Sequence, residues 1–190
     1  MNPFPRPHPA ILSIATPFKT RLNARDVCHR IANLVRTSLE PSIRVTLELS
    51  PQTGDVRGDS RQIDQVLLNL ILNAWDAMPD GGDLLVSTSN IDRETESGTE
   101  KFVRIVVADN GAGIRPEIRE HIFHPWFTTK THGIGHGTGL AIVDHIVRET
   151  GGEISVHSTM GLGTSFEILL PRVDEESGLT CAAMALAQAA

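Results

Sequence analysis

The sequence predicts an α/β domain, a two-layer sandwich in which helices cover one face of a mixed, mainly antiparallel sheet. Strand-like runs occur in hairpin pairs, and separate segments carry apolar residues at helical spacing. With 190 residues, the chain is long enough for one well-buried core. We therefore expect one domain over residues 23–172, preceded by a loose leader (1–22) and followed by a C-terminal tail (173–190).

Composition excludes several classes of protein. Lys and Arg number 17 against 23 Asp and Glu, and the resulting net charge of −6 argues against a nucleic-acid partner. The two cysteines, Cys28 and Cys181, lie too far apart in sequence to suggest a disulfide framework or a cysteine metal site. No apolar run approaches the roughly 18 residues of a membrane span. We expect a cytoplasmic domain that makes no membrane contact through this segment.

The first elements are a leader without regular structure, a helix and a strand. The prolines of the leader prevent regular backbone hydrogen bonding there. From Asp26 to about Leu39, apolar residues recur near helical spacing, and Pro41 closes that helix. Apolar and polar residues then alternate over 43–49, the period of a strand with one buried face. Glycines at 54 and 58 turn the chain.

A longer helix follows. Asp59 or Ser60 can cap its start, and the Pro and Gly residues of 79–82 end it after about Met78. Its apolar residues form one stripe: Ile63, Val66, Leu67, Leu70, Ile71 and Ala74. Polar side chains lie one turn apart beside that stripe: Gln65, Asn69, Asn73 and Asp76.

The second half of the chain predicts two hairpins around one helix. Strands at 84–89 and 102–108 enclose a charged stretch, 92–100, which indicates a solvated loop. An irregular region spans 109–138. A helix from Thr138 to about Thr150 leads into strands at 153–157 and 164–170, with a glycine-bearing turn at 161–163.

The polar face of the longer helix suggests a metal ligand. Asparagine is a middling helix former, so two of them one turn apart, Asn69 and Asn73, require a reason. Magnesium takes oxygen ligands and borrows several from nucleotide phosphates, so the carbonyl oxygen of Asn73 suits it. The alternative is a pair of buried amides bonded to neighbouring groups.

Residues 109–113, Asp-Asn-Gly-Ala-Gly, follow directly after an apolar strand. Asp109 therefore lies at a strand end, where ligand clefts often open, and its carboxylate can accept a hydrogen bond from an amine such as that of adenine. The glycines allow the close approach of a flat ring. A plain hairpin turn is the alternative.

A glycine-rich segment opens into the helix that begins at Thr138. Glycines at 133, 135, 137 and 139 alternate there, and backbone N–H groups at a helix start make an anion site. Lys130 adds a positive charge for phosphates. A flexible linker is the alternative.

In this order and spacing, these segments resemble the catalytic ATP-binding domain of sensor histidine kinases, one branch of the superfamily with gyrase-, Hsp90- and MutL-type ATPases. Residues 68–74 are similar to its N box, 109–113 to its G1 box, 123–127 to its F box and 135–140 to its G2 box. The closing segments, 151–154 and 161–166, resemble its final hairpin. Phe127-Thr128-Thr129-Lys130 is typical of the nitrogen-regulation subgroup.

The resemblance implies a Bergerat-type ATP-binding fold, with ATP and Mg²⁺ as cofactors. It implies that Asn73 binds the metal, that Asp109 reads the adenine amine, and that residues 113–137 form a mobile lid. Asn69 and Lys130 would serve the transfer step. The implied nucleotide-binding residues are Asn69, Asn73, Asp76, Asp109, Gly111, Gly113, Ile114, Lys130, Gly135, His136, Gly137, Thr138, Gly139, Leu140 and Thr164.

One position separates the branches of this superfamily. Its ATPases carry a water-activating glutamate one turn before the metal asparagine, where this chain has Asn69. An amide has no useful basicity near neutral pH, so phosphoryl transfer to a protein is favoured over hydrolysis. A free-standing ATPase and a nucleotide-binding regulatory module without transfer activity remain as alternatives.

The acceptor histidine is expected on a separate dimerisation domain, in a longer protein or in trans, with a response regulator as an indirect partner. In this family the acceptor histidine is usually followed by an acidic residue and, further on, by a proline, and none of the 8 histidines has these neighbours. His29 is followed by Arg30, and His8 lies in the leader. Zinc binding by His121, His124, His132 and His136 is a weaker hypothesis, because no cysteine lies nearby.

Overall fold

The structure, a computed structural model, describes residues 19–38, 42–96, 98–128 and 137–173. Its strands are β1 (Thr20–Asn23), β2 (Ile43–Leu49), β3 (Asp55–Gly58), β4 (Gly82–Thr95), β5 (Gly98–Asp109), β6 (Glu153–Thr159) and β7 (Gly163–Val173). Its helices are α1 (Ala24–Ser38), α2 (Ser60–Asp76), α3 (Pro116–Arg119) and α4 (Gly139–Glu149).

All these strands belong to one sheet. The order is β1-β3-β7-β5-β4-β2, and β6 pairs with β7 along the edge that β3 leaves open. β2 and β4 are parallel, while the other neighbours are antiparallel. The prediction of a mixed, mainly antiparallel sheet with a helical layer is therefore confirmed.

The alternation of side chains explains which face of the sheet is covered. Leu84, Val86 and Thr88 of β4 are buried, and their partners on β5 continue the same face. These residues pack in one core with the buried sides of α1, α2 and α4. At one end of this inward face the register pairs Asp109 with both Leu84 and Thr164. The apolar face of the sheet thus ends in a polar group.

Helix α2 forms the centre of the helical layer. The carboxylate of Asp59 accepts a hydrogen bond from the backbone N–H of Arg61 at 2.8 Å, which confirms the predicted cap. All six residues of the predicted stripe are buried, and Leu67 and Leu70 have no exposed surface. Helix α2 contacts α1 on one side and α4 on the other. The polar side of α2 therefore lies next to the start of α4.

Two parts of the fold differ from the sequence prediction. Strand β1 lies partly within the segment assigned to the leader, and it pairs with β3, which was predicted as a turn. The stretch 92–100, predicted as a loop, consists largely of strand, since β4 and β5 pair as far as Thr95 and Gly98. Its charges are accommodated because Arg93 lies 2.8 Å from Glu153 and stacks on Phe102.

No helix within the described ranges is long and apolar enough to span a bilayer.

Candidate functional site

A cavity of about 470 Å³ opens between α2, the start of α4 and the ends of β5 and β7. Its volume lies within the range of small-molecule sites, roughly 300–1,000 Å³. Ten residues predicted to bind nucleotide line it: Asn69, Asn73, Asp76, Asp109, Gly113, Ile114, Gly137, Gly139, Leu140 and Thr164. Segments separated by up to 95 positions in sequence therefore converge on one space.

Asp109, at the end of β5, is one of two aspartates that line this cavity, the other being Asp76. One carboxylate oxygen, Oδ1, accepts hydrogen bonds from the backbone N–H groups of Gly111 at 2.9 Å and Thr164 at 3.2 Å. Burial raises the pKa of Asp109 above its ordinary value, and these two hydrogen bonds partly oppose that effect. Because both contacts use Oδ1, the geometry leaves Oδ2 to accept a donor from a ligand.

A chain of hydroxyl groups fixes the backbone on either side of Asp109. Ser158 Oγ donates to the carbonyl of Gly163 at 3.0 Å and accepts from the N–H of Ile114 at 2.8 Å. Since the single hydroxyl hydrogen of Ser158 is then used, Thr164 must donate across the 3.0 Å contact between the two hydroxyls. The predicted site lacked Ser158, although it is the polar residue in an inward row otherwise occupied by Ile154 and Val156.

The two asparagines of α2 have different environments. The Asn69 amide donates to the carbonyl of Gly139 at 3.2 Å, which ties α2 to the first turn of α4. The amide nitrogen of Asn73 is buried at the cavity wall, and no group in the described part of the chain bonds it. A buried amide without a partner costs free energy, so the Asn73 nitrogen is placed for an acceptor that the described residues do not supply.

Two glycines show how closely the backbone segments meet at the cavity. Gly113 has φ +74°, and a Cβ added there would lie 2.3 Å from the carbonyl oxygen of Thr159. Gly137 has φ +65°, and a Cβ would lie 2.6 Å from the carbonyl carbon of Trp126. Both positions require glycine. The chain before residue 129 and the chain after 136 are therefore in direct contact at Gly137.

Apolar side chains form much of the wall, which suits a flat heterocycle. It includes Ile114, Ile118, Ile122, Phe127 and Leu140. Ile114 and Leu140 were predicted, while the other three were missed. Their signal was weak, because they lie in an irregular segment with only a four-residue helix, where apolar residues show no periodicity.

Other predicted residues stand outside the cavity or outside the described ranges. Gly111 contributes its N–H to Asp109 instead of lining the wall, and Thr138 precedes α4 without a side-chain capping bond. Lys130, Gly135 and His136 lie outside the described residues, so their predicted roles remain predictions. Within the described ranges, no group of three or more His, Cys, Asp or Glu residues could hold a metal.

Comparisons with known proteins agree with this geometry. Residues 58–174 match the family described as histidine kinase-, DNA gyrase B- and HSP90-like ATPase. The chain belongs to this family. Within the family, it is an ATP-binding catalytic domain of the sensor histidine kinase type, as the relatives and solved structures below establish.

Three relatives cover most of this chain. It is 40% identical to sensor kinase CckA of Brucella abortus over 77% of the chain and 16% of that protein. It is 37% identical to sensor histidine kinase ZraS of Salmonella typhimurium over 86% of the chain and 32% of that protein. It is 33% identical to sensory histidine kinase/phosphatase NtrB of Escherichia coli O157:H7 over 76% of the chain and 42% of that protein. The chain thus spans less than half of each relative.

Solved structures give the same result. The mycobacterial sensor histidine kinase MprB is 28% identical with a TM-score of 0.68, covering 81% of this chain and 97% of the other. Full-length ShkA in complex with AMPPNP is 27% identical with a TM-score of 0.69, covering 82% and 31%. ThkA in complex with response regulator protein TrrA is 27% identical with a TM-score of 0.64, covering 82% and 42%.

Proposed function

We propose that this domain binds Mg-ATP in the cavity and positions the γ-phosphoryl group for transfer to a histidine on a separate dimerisation domain. The single observation that supports this most is the convergence of Asn73 and Asp109 on one cavity. We assign one end of the cavity to Asp109, which contacts Gly111 and Thr164, and the other end to the start of α4 at Gly139, which contacts Asn69. A nucleotide likewise has two ends, with a flat base at one end and phosphates at the other.

At the base end, Oδ2 of Asp109 accepts a hydrogen bond from the exocyclic amine of adenine. Its position is held by the N–H groups of Gly111 and Thr164, so the carboxylate loses little freedom when the base binds. Ile114, Ile118 and Ile122 contact the faces of the ring. These contacts favour adenine over a base that presents a carbonyl oxygen at the same place, because two acceptors would then face each other.

At the phosphate end, the buried amide nitrogen of Asn73 has no partner among the described residues and suits an acceptor such as a phosphate oxygen, while the side-chain oxygen is the atom that would bind magnesium. The carbonyl oxygen of an asparagine is a hard ligand, and its nitrogen can donate to a phosphate oxygen. Bound Mg²⁺ would neutralise phosphate charge during transfer. The first turn of α4, at Gly139 and Leu140, offers backbone N–H groups that have no partner within the helix.

Asn69 favours transfer over hydrolysis. Its amide donates to Gly139, a contact that a glutamate could not make, and it cannot remove a proton from water. The transfer itself breaks the bond between phosphorus and the bridging oxygen of ADP and forms a bond to the imidazole nitrogen of the acceptor. The chain's part in that step is alignment, which α2 and α4 provide together.

The test of the metal site is calorimetric titration with ADP in Mg²⁺ and in EDTA. We expect the wild type to bind more tightly in Mg²⁺, and Asn73→Ala to bind equally in both. Gln65→Ala is the matched control, since Gln65 is an exposed amide on the same helix. An Asn73→Ala variant that keeps the full difference between Mg²⁺ and EDTA would rule out Asn73 as the ligand.

The test of transfer uses labelled ATP and a separately made acceptor hairpin from a sensor histidine kinase. Label on the hairpin's histidine supports kinase activity. Transfer of that label to a response regulator supports the proposed response-regulator partner. Binding without transfer would indicate a regulatory module. Steady phosphate release without an acceptor would indicate an ATPase.

A further inference from the structure

A second concave surface lies apart from the nucleotide cavity. It runs between α1 and β2, has a volume of about 620 Å³, and shares no lining residue with the cavity. We call it the basic groove, defined by Arg25, His29, Arg36 and Arg44 at its rim, with Val45 and Leu47 among the apolar residues of its wall. The proposed function does not use any of these residues.

The charge of the basic groove contrasts with that of the chain. Three arginines line it, although the whole chain carries a net charge of −6. Residues 25, 29 and 36 lie within about 40° of one another around α1, because eleven residues make nearly three full turns of a helix. They therefore form one stripe along α1, and Arg44 adds a positive charge at the start of β2, on the outward face of the strand.

Among the described residues, the partners of these arginines are exposed carboxylates or a backbone carbonyl. Arg25 lies 3.9 Å from the exposed Asp26, and Arg44 lies 3.0 Å from Asp83. Arg36 donates to the carbonyl oxygen of Val45 at 2.7 Å. Exposed ion pairs contribute little, so a partner's carboxylates can replace these contacts at small cost.

The wall of the basic groove is the edge of a sheet. Within the described ranges, β2 pairs with β4 alone and ends the strand order. An edge strand presents backbone N–H and C=O groups that can pair with an added strand, and the carbonyl of Val45 joins them when Arg36 turns from it to a carboxylate of the partner. The seven residues of β2 extend about 23 Å, which matches an extended segment of six to eight residues.

We propose that the basic groove docks an extended acidic segment of a partner protein as an added strand beside β2. The backbone of that segment pairs with the edge of β2. Its carboxylates on the α1 side reach Arg25 and Arg36, beside Val45 and Leu47, and groups on its other side lie next to Arg44. Because this surface is separate from the cavity, such docking attaches the domain to a partner without blocking the nucleotide.

The test uses the full chain, labelled with ¹⁵N, and a capped eight-residue peptide that alternates glutamate and valine. We expect the peptide to shift the amide resonances of 24–36 and 43–49 and to leave those of Asn73 and Asp109 in place. The same peptide with every backbone nitrogen methylated keeps its charge but cannot pair with a strand, and we expect it not to bind. Absence of shifts at 43–49 with peptide at about 1 mM, a concentration that detects even weak complexes, would overturn the proposal.

Charge reversal provides the matched comparison. Arg25→Glu with Arg36→Glu turns two attractions into two repulsions and is expected to weaken peptide binding by roughly tenfold or more. Arg57→Glu with Arg61→Glu makes the same change in net charge on exposed residues elsewhere, and it is expected to leave peptide binding within about twofold. ADP affinity is expected to stay unchanged in both variants, so this result does not depend on the proposed kinase activity.

Three further outcomes would contradict the proposal. Equal weakening by the two double variants would show an unspecific effect of net charge. Equally tight binding of a single-stranded oligonucleotide with the same charge would show a general polyanion site. Tighter peptide binding after Asp174→Asn, Glu175→Gln and Glu176→Gln would identify the chain's own acidic segment as the occupant.

Discussion

The substitution Asp109→Asn separates the function of the cavity from its stability. The asparagine has the same size, and its carbonyl oxygen can still accept from the N–H groups of Gly111 and Thr164. The second oxygen, however, becomes an NH₂ group that would face the amine of adenine as donor against donor. Loss of one charge-assisted hydrogen bond corresponds to about 1.5–3 kcal/mol, or roughly 10- to 150-fold in the Kd for ADP.

The stability of this variant is expected to move in the opposite direction. Burial raises the pKa of Asp109 above its ordinary value of 3.8, so the folded state favours the protonated carboxyl more than the unfolded state does. The stability that comes from this group is complete below pH 3.8 and is lost as the pH rises through the raised pKa. At pH 7, Asp109→Asn should therefore unfold at the same temperature as the wild type or at a higher one.

The assay combines calorimetry with ADP and thermal unfolding between pH 4 and pH 7. Wild-type affinity should fall relative to that of Asp109→Asn as the pH is lowered, because the ionised carboxylate is the better acceptor. Asp80→Asn, an exposed aspartate outside the cavity, is the control. Unchanged ADP affinity in Asp109→Asn would refute the adenine contact. A marked loss of stability would refute the electrostatic argument.

Three other predictions concern the scaffold. Gly113→Ala should lower nucleotide affinity and cost about 1–3 kcal/mol of stability, measured by urea unfolding, because of its positive φ and the contact with Thr159. Leu67→Ala should cost about 2–5 kcal/mol by the same measurement, since Leu67 is fully buried; a loss below about 1 kcal/mol would contradict the packing. Burial raises the pKa of Cys28 to about 12, so in a Cys181→Ser background the native chain should resist thiol labelling at pH 8 until it is unfolded; fast labelling would contradict this burial.

The central helix could be predicted from the sequence because its signals are local. The cap at Asp59 and the apolar stripe of α2 lie within one segment, and the structure confirms both. Strand β3 could not be predicted in the same way. It has four residues, two of them charged, and it becomes a strand through its pairing with β1 and β7, which are distant in sequence. Propensity carries little information for such short, paired segments.

The β4–β5 hairpin was predicted, but its outer part, residues 92–100, was taken for a loop for a related reason. Its charged residues indicate a loop when they are considered locally. In the fold, Arg93 contacts Glu153, which is 60 residues away in sequence, and stacks on Phe102. The favourable environment of these charges is created by the sheet itself, so it cannot be read from the local pattern.

The polar residues of the site could be predicted where a polar side chain is unusual at its place in a helix or strand. Asn69 and Asn73 are unexpected in a helix interior, and Asp109 is unexpected at the end of an apolar strand. Ser158 was not predicted because a serine in a short strand is common. Its role appears only when the hairpin places it between Ile114 and Thr164.

The most direct test of this account is a crystal structure of the chain with Mg²⁺ and AMPPNP. We expect the adenine amine within hydrogen-bonding distance of Asp109 and the metal on the side-chain oxygen of Asn73, both in one cavity. A nucleotide bound elsewhere, or a metal held without Asn73, would contradict it.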